Sequence, residues 1–261
     1  MGSQGFKSPA LPGPLVVVPL NRFLLEQGFE EIEWSAQDLR TTHLKKTLKA
    51  KEGDQVDFGV INGPKGKGRV SWQSSGGVRI KLSWQEDHPP DLIPISILVG
   101  LSRPQTCRKI IEQGAALGLK EIIFFSAEKS EPSYANSSLW GGEWRRLLIK
   151  GTEQAFSCHL PNFQKLNSLE EAIQTRGSNR PIVRLALDNY EARGSLPQDP
   201  FYGEHTIQLA IGPERGWAAK ERDFLRQNGF ELSHLGKRIL RVETAMVAAV
   251  GYLSGKYWAN L

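Results

Sequence analysis

The sequence contains little cysteine and little histidine. Its 261 residues include two cysteines, Cys107 and Cys158, and five histidines. Two thiols are too few for a disulfide framework or a four-thiolate zinc site, and the histidines and cysteines do not show the spacing of metal ligands. The sequence therefore predicts a protein that needs no metal, and the low cysteine content is typical of a reducing cytoplasm.

Long hydrophobic runs are also missing. None approaches the roughly 20 consecutive apolar residues that a membrane-spanning helix needs. The stretch PLVVVPL at residues 14–20 is short and broken by proline, and no convincing signal cleavage site accompanies it. We therefore expect a cytoplasmic protein that has no membrane partner.

Positive charge exceeds negative charge, mostly in one segment. The formal net charge is +5 and the isoelectric point is near 9.2. Between Leu39 and Arg69, eight lysines and arginines stand against three acids. A local excess of this kind favours a polyanionic partner such as a nucleic acid, although a solvated surface can have the same composition.

The first part of the chain has the pattern of a small β-barrel. Residues 1–13 are rich in Gly, Ser and Pro, which predicts a disordered leader. Residues 14–88 contain short apolar stretches cut by Gly and Pro, and two alternating stretches flank SSGG as in a β-hairpin. One helix interrupts them at 35–50, with its leucines roughly on one side. Residues 89–94, in a proline-rich stretch, predict a linker.

The remaining part, residues 95–261, has the pattern of an α/β domain. Apolar strands such as ISILVGL, EIIFF and HTIQLAIG alternate with helices, including one long helix predicted over 138–156 and a closing helix over 242–255. Strands that are apolar on both faces predict a parallel sheet covered by helices on both sides.

Two loops in this second domain carry the candidate site. In LAIGPERGW an apolar strand runs into Gly212, Pro213 and Gly216 and then into a helix, so backbone N–H groups can approach a ligand closely. The loop lacks the Lys-Ser/Thr ending of a P-loop and the G-x-G-x-x-G spacing of a dinucleotide fold, which disfavours both of those functions. The second loop, LGKRILRVETA, joins glycine, three cations and a Glu-Thr pair to the closing helix.

Together, the two loops resemble the cofactor-binding signatures of the RsmE family of SPOUT methyltransferases, which methylate N3 of a uridine in 16S rRNA. The resemblance implies a deep C-terminal trefoil knot, a rare exception to unknotted folds. It also implies a homodimer formed through the knot domain and the assembled small ribosomal subunit as substrate. The implied contacts of S-adenosylmethionine are Leu187, Ile211, Gly212, Pro213, Glu214, Gly216, Leu235, Gly236, Ile239, Leu240, Arg241, Thr244 and Ala245.

The resemblance extends to the first domain. NRFLLE and THLKKTLKAKEGDQVDF are similar to parts of the family's PUA-like, RNA-binding barrel. The implied RNA contacts are Arg22, His43, Lys45 and Lys46, each of which could equally be solvated surface. Arg215 departs from the family pattern, which usually has glycine there, and it adds a side chain beside the cofactor or the RNA. Other departures, at Pro104 and at residues 116–118 and 157–159, alter substrate-side positions.

The chemistry implied by this family is an in-line methyl transfer, in which the protein supplies alignment and a dry pocket. Uridine N3 carries a proton at neutral pH, so the enzyme must help to remove it or stabilise the developing anion. Arg241 could stabilise the charge on O2 or O4, and Glu243 could orient Arg241 or accept the proton. Alternatively, these two residues form an internal ion pair. We expect Glu214 to bond a backbone amide.

The sequence is also compatible with two other functions. The chain could be a knotted RNA-binding protein that has lost its activity, as Arg215 and the altered substrate helix suggest. It could also be a knotted methyltransferase with another target, such as a 2′-hydroxyl of tRNA. Cofactor binding distinguishes the first of these from an enzyme, and the position of the transferred methyl group distinguishes the second.

Overall fold

The computed structural model describes residues 22–86, 89–174, 181–197 and 205–258. The leader predicted at residues 1–13 lies outside the described residues. Within them, no helix combines the length and the apolar character that crossing a membrane requires.

The first domain is a curled five-stranded sheet with one helix. Its elements are β1 (Phe23–Leu25), β2 (Glu31–Trp34), α1 (Leu39–Lys46), β3 (Gln55–Val60), β4 (Lys65–Trp72) and β5 (Val78–Trp84). The strand order is β1-β3-β4-β5-β2, and every pair is antiparallel except β1 with β3. The rings of Phe23 and Trp34, on the two edge strands, lie 5.2 Å apart. The sheet therefore curls into a partly open barrel, which confirms the predicted barrel and its β4–β5 hairpin.

Helix α1 covers one part of this barrel, but not with all three of its predicted leucines. Asp38 caps the helix by accepting from the Arg40 N–H at 2.8 Å. Leu44 is fully buried and Leu48 packs at the edge of the core. Leu39, which was expected roughly on the same side of the helix, is 84% exposed and does not join this core. Leu39 is the first residue of the helix.

The second domain is a seven-stranded parallel sheet between helices. Its elements are β6 (Ile93–Gly100), α2 (Pro104–Ala116), β7 (Leu119–Phe125), two short 3₁₀ helices (Pro132–Asn136 and Ser138–Gly141), α3 (Glu143–Gln154), β8 (Asn162–Leu166), α4 (Leu169–Gln174), β9 (Ile182–Leu187), β10 (Gly194–Ser195), β11 (Thr206–Ile211), α5 (Ala219–Gln227), β12 (Glu231–His234) and α6 (Val242–Trp258). The strand order is β10-β12-β9-β11-β6-β7-β8.

Alternate residues of the central strands pack into two separate cores, one on each face of the sheet. This confirms the predicted parallel sheet covered by helices on both sides. Ile95, Ile97 and Val99 of β6 pack into the core with helices α2, α3 and α6. Leu98, from the same strand, packs on the opposite face with helices α4 and α5. Successive strand side chains point to opposite faces, so a strand buried on both sides must be apolar throughout.

Two predicted boundaries differ from the structure. The single helix expected over 138–156 is divided at Gly142, whose φ of 124° is incompatible with a right-handed helix. Strand β6 begins at Ile93, so the last two residues of the predicted linker 89–94 belong to the sheet. The backbone N–H of Ile93 donates to the Gly118 carbonyl at 2.7 Å, which ties the start of the strand to the end of helix α2.

The two domains share a buried junction. The Leu24 N–H donates to Glu153 Oε1 at 3.0 Å, and the Asn62 N–H donates to the Cys158 carbonyl at 2.8 Å. Burial is the largest influence on Glu153 and raises the pKa of its carboxyl group. A Cβ on Gly59 would collide with the Cys158 sulfur. Strand β3 of the barrel and the segment after α3 therefore fit together in direct contact.

Candidate functional site

A cavity of about 510 Å³ lies at the carboxyl ends of β9, β11 and β12. The last residues of these strands, Leu187, Ile211 and His234, all line it. Ligands of open parallel sheets commonly bind beyond the carboxyl edge of the strands. The location of this cavity therefore matches the usual binding position of the fold class.

The two predicted loops converge on this one cavity. Most of the residues predicted from the sequence to contact the cofactor or perform the chemistry line it, namely Leu187, Ile211, Gly212, Pro213, Glu214, Gly216, Leu235, Ile239, Leu240, Arg241, Glu243 and Ala245. Arg215 lines it as well. Gly236 and Thr244 are not among the lining residues, and both are exposed.

The first loop needs its glycines for steric reasons. A Cβ on Gly212 would lie 3.3 Å from the Trp217 ring, and Gly216 has a φ of 66°. The Gly216 N–H donates to the Pro213 carbonyl at 2.8 Å and closes the turn. Glycine adopts positive φ without the penalty that a side chain would bring. The backbone of this loop therefore forms part of the cavity wall itself.

Glu214 connects this loop to helix α2. Its Oε1 accepts from the backbone N–H of Arg103 at 2.8 Å, where α2 begins. A carboxylate at a helix N-terminus satisfies an otherwise unpaired amide and interacts favourably with the helix dipole. The expected bond from Glu214 to a backbone amide is present, although the amide belongs to a different segment of the chain.

Glu243 pairs with a residue that the sequence did not indicate. Its Oε1 lies 3.1 Å from Lys109 Nζ of helix α2, and its side chain is only 10% exposed. Burial acts to raise the pKa of Glu243, but bonds from its own backbone N–H and from Lys109, with the charges of Lys109 and Arg241, outweigh burial and lower the pKa. Glu243 is therefore a fixed carboxylate at neutral pH and a weak proton acceptor. The specific Arg241–Glu243 ion pair considered above is replaced by Lys109–Glu243.

A buried ion pair joins Asp188, which lines the cavity, to Arg222. Asp188, directly after β9, accepts from Arg222 Nε at 2.8 Å, from the Tyr190 N–H at 2.7 Å and from the Glu191 N–H. Burial acts to raise the pKa of Asp188, but these hydrogen bonds and the charge of Arg222 outweigh it and lower the pKa. The Trp217 indole donates to the Leu187 carbonyl at 2.8 Å, which fixes the glycine loop against β9.

Several lining residues were missed by the sequence reasoning. They are Arg103, Thr106, Asp188, Asn189, Tyr190, Trp217, His234, Arg238 and Val242. Most of them directly follow a buried strand or lie within the two predicted loops. Polar residues at the carboxyl end of PIVRLALD could have been recognised in this way, because such ends share one edge of the sheet. Among the described residues, His, Cys, Asp and Glu form no group of three that could hold a metal ion.

The four residues predicted to contact RNA in the barrel have different surroundings. Arg22 is 5% exposed; its guanidinium donates to the Phe156 carbonyl and lies over the Phe156 ring. The RNA contact predicted for Arg22 is therefore wrong, since this cation belongs to the domain junction. Lys45 and Lys46 are exposed, and Lys45 Nζ donates to the Gly76 carbonyl at 2.8 Å. His43 is half-buried with its ring edge-on to Phe23.

Comparison with known proteins defines the class of this domain. Residues 89–254 match the family model described as an RNA methyltransferase domain. That range contains the whole parallel sheet and both loops of the cavity.

Curated relatives narrow the class further. The chain is 32% identical over 223 residues to ribosomal RNA small subunit methyltransferase E of Treponema pallidum, covering 82% of each chain. It is 27% identical to ribosomal RNA small subunit methyltransferase E 1 of Borreliella burgdorferi, covering 82% of this chain and 89% of the relative. The chain belongs to this RNA methyltransferase family, the RsmE proteins.

Solved structures have the same overall fold. Ribosomal RNA small subunit methyltransferase E of Neisseria gonorrhoeae, bound to S-adenosylmethionine, superposes with a TM-score of 0.73 at 21% identity and covers 91% of this chain and 98% of its own. A methyltransferase of Legionella pneumophila, also bound to this cofactor, gives a TM-score of 0.71 at 19% identity, covering 90% of this chain and 97% of its own.

Proposed function

We propose that this protein transfers a methyl group from S-adenosylmethionine to N3 of a uridine in 16S rRNA of the small ribosomal subunit. The observation that carries the proposal is the convergence of the two glycine-containing loops on one cavity within an RNA methyltransferase domain. The names of the curated relatives, which are ribosomal RNA small subunit methyltransferases, support the substrate class. An enzyme of ribosomal subunits acts in the cytoplasm.

The cavity has the properties that S-adenosylmethionine requires. Its volume of about 510 Å³ lies within the usual range of small-molecule sites. Gly212 and Gly216 line the cavity without side chains, so the backbone at these two positions can approach the ligand. When bound, S-adenosylmethionine supplies an electrophilic methyl group on a sulfonium. The residues that would hold it are Leu187, Ile211, Gly212, Pro213, Glu214, Gly216, Leu235, Ile239, Leu240, Arg241 and Ala245. Gly236 and Thr244 lie next to them in the sequence, outside the cavity lining.

Arg241 is the residue that we assign to the chemistry. It is exposed, it lines the cavity, and its guanidinium has no hydrogen-bond or ion-pair partner among the described residues. A guanidinium beside O2 or O4 of uridine stabilises the charge that develops as N3 loses its proton. Glu243, held as a carboxylate by Lys109, keeps a negative charge close enough to Arg241 for the two charges to interact. Proton acceptance by Glu243 is the less favoured role, because its pKa is lowered.

The decisive experiment is a methylation assay on small ribosomal subunits from cells that lack the corresponding gene. Labelled S-adenosylmethionine and nucleoside analysis identify both the donor and the modified atom. We expect N3-methyluridine at one position. A methylated ribose would assign the protein to another target, and cofactor binding without any product would mean that the substrate is wrong. Failure to bind the cofactor would leave an RNA-binding protein without activity.

Self-association through the second domain is part of the same proposal. Helix α6 begins at the cavity and presents an exposed face of small and apolar side chains, which comprises Thr244, Val247, Ala248, Tyr252 and Gly255. A twofold contact on this face would place the two cavities beside the shared interface. The deep C-terminal trefoil knot implied by the sequence resemblance belongs to this proposed arrangement.

A further inference from the structure

The mouth of the cavity carries arginine side chains that no carboxylate neutralises. Three arginines outside the cavity are each paired with a carboxylate: Arg79 with Glu33, Arg108 with Glu143 and Arg145 with Glu26. In contrast, the guanidinium groups of the cavity-lining arginines 103, 215 and 238 have no hydrogen-bond or ion-pair partner within the described part of the chain. These three side chains therefore remain available to a ligand.

The three arginines come from three separate segments. Arg103 precedes helix α2, Arg215 lies in the glycine loop, and Arg238 lies in the loop before α6. Glu214, the acid next to Arg215, is already engaged by the Arg103 backbone N–H at 2.8 Å. Unpaired like charges around one opening repel each other, so their convergence favours a polyanionic ligand. S-adenosylmethionine does not meet that need, because its sulfonium, ammonium and carboxylate groups leave it with net positive charge.

An exposed aromatic ring lies at the same opening. Tyr190 lines the cavity and is 74% exposed. Its ring edge lies 3.6 Å from the position of a Cβ on Gly216, and the Arg222 guanidinium lies 5.4 Å from the ring centroid. Proteins that bind single-stranded nucleic acid combine cationic side chains along the backbone with aromatic rings on which bases stack. The mouth presents both kinds of group.

We propose that the cavity mouth is an RNA-contact surface, in which Arg103, Arg215 and Arg238 bind the phosphates that flank the target nucleotide and Tyr190 stacks on an adjacent base. The proposal rests on the proposed function, which makes RNA the substrate. A nucleotide must leave its stack before its N3 can enter the cavity. Phosphate contacts from three segments at the opening, together with a ring that stacks on the neighbouring base, hold the strand in that unstacked conformation.

Salt-dependent binding tests the arginines. We compare Arg103→Gln, Arg215→Gln, Arg238→Gln and their combination with Arg146→Gln, an exposed arginine outside the cavity that has no hydrogen bond among the described residues. The probe is a labelled single-stranded oligouridine, followed by fluorescence anisotropy over a range of NaCl concentrations. Each single variant should reduce the slope of log K against log salt by about 0.7, and the combination by about two. Arg146→Gln should keep the original slope.

A second pair of variants tests the ring. Tyr190→Ala should weaken oligouridine binding about tenfold at every salt concentration, while Tyr190→Phe should retain it, because stacking needs the ring and not the hydroxyl. Unchanged slopes in all three arginine variants would overturn the proposal. So would a loss of affinity for S-adenosylhomocysteine with RNA binding intact, since the arginines would then belong to the cofactor site. Failure of the proposed function appears separately, as normal RNA binding without any methylated nucleoside.

Discussion

At the scale of single residues, the site depends on two buried acids that are fixed by cations from distant parts of the chain. Glu243 is held by Lys109, and Asp188 is held by Arg222. Neither pair can be read from the sequence, because the partners are separated by 134 and 34 positions respectively. Only the folded sheet brings Lys109 of α2 and Arg222 of α5 to these two acids.

Lys109 acts as a positioning residue for Glu243. In Lys109→Gln the pKa of Glu243 should rise, because burial continues to favour the neutral acid after the compensating cation is lost. The carboxylate then protonates at a higher pH, so the acidic limb of the pH profile for single-turnover methyl transfer should move to higher pH. Lys150→Gln, which removes an exposed partner of Glu112, should leave that profile unchanged. If the two variants had the same pH profile, Lys109 would not be a positioning residue for Glu243.

Asp188 should control stability in a pH-dependent way. In the folded protein the pKa of Asp188 is lowered. The contribution of Asp188 to the free energy of unfolding is therefore complete above the pKa of the unfolded chain, near 3.9, and is lost as the pH falls through the folded pKa. Asp188→Ala should cost about 3 to 5 kcal/mol at neutral pH, because Arg222 is left buried without its partner. This difference should shrink in acid. Asp223→Ala, at an exposed pair with Arg226, should cost about 1 kcal/mol or less. Chemical denaturation at several pH values measures both.

At the scale of secondary-structure elements, the strongly apolar segments were predictable and the weakly apolar ones were not. The strand before Gly212 and the helix after Arg241 have long, consistent patterns, and both are present. Strand β8 and helix α4 were missed because they are short, and the strand is half-exposed at the edge of the sheet. The two loops could be recognised in the sequence by their glycines and charges. The lining residues from α2 and from the end of β9 could be recognised only in the three-dimensional structure.

The glycine loop should tolerate a side chain poorly at its left-handed position. Gly216→Ala should destabilise the protein by about 1 to 2 kcal/mol and weaken binding of S-adenosylhomocysteine, because its φ of 66° strains any residue with a Cβ. Gly194→Ala is the matched control, since its φ is ordinary and nothing lies within 4 Å of an added Cβ. Thermal denaturation and isothermal calorimetry give the two readouts. Equal behaviour of the two variants would contradict a steric role for Gly216.

Helix α1 is the element through which the barrel should bind RNA. Lys45 is held over the Trp72 ring and bonded to Gly76, whereas Lys46 is exposed with no hydrogen bond among the described residues. Lys46→Gln should therefore reduce the salt slope of binding to small ribosomal subunits by about 0.7 to 0.9. Lys81→Gln, on strand β5, serves as a control for the loss of one positive charge from the same domain. The same slope in both variants would argue against this surface.

At the scale of the whole molecule, helix α6 presents an exposed face that includes apolar side chains. Val247 and Tyr252 are 36% and 46% exposed on this face. If the face forms the proposed dimer, Val247→Asp should weaken association about 100-fold, because a charge would be buried without a partner. Sedimentation velocity across a range of protein concentrations measures the change. Leu39→Asp, at an exposed leucine on the barrel, should remain dimeric, and a monomeric wild-type protein would refute the arrangement.

The junction between the two domains also has an evolutionary consequence. Gly59 of the barrel lies directly against Cys158 of the second domain, so a Cβ on residue 59 would collide with the sulfur of Cys158. A larger residue at 59 is therefore acceptable only if the residue at 158 becomes smaller. Among relatives, these two positions should covary although 99 positions separate them. Exchanging the barrel between family members should then succeed only when both positions are exchanged together.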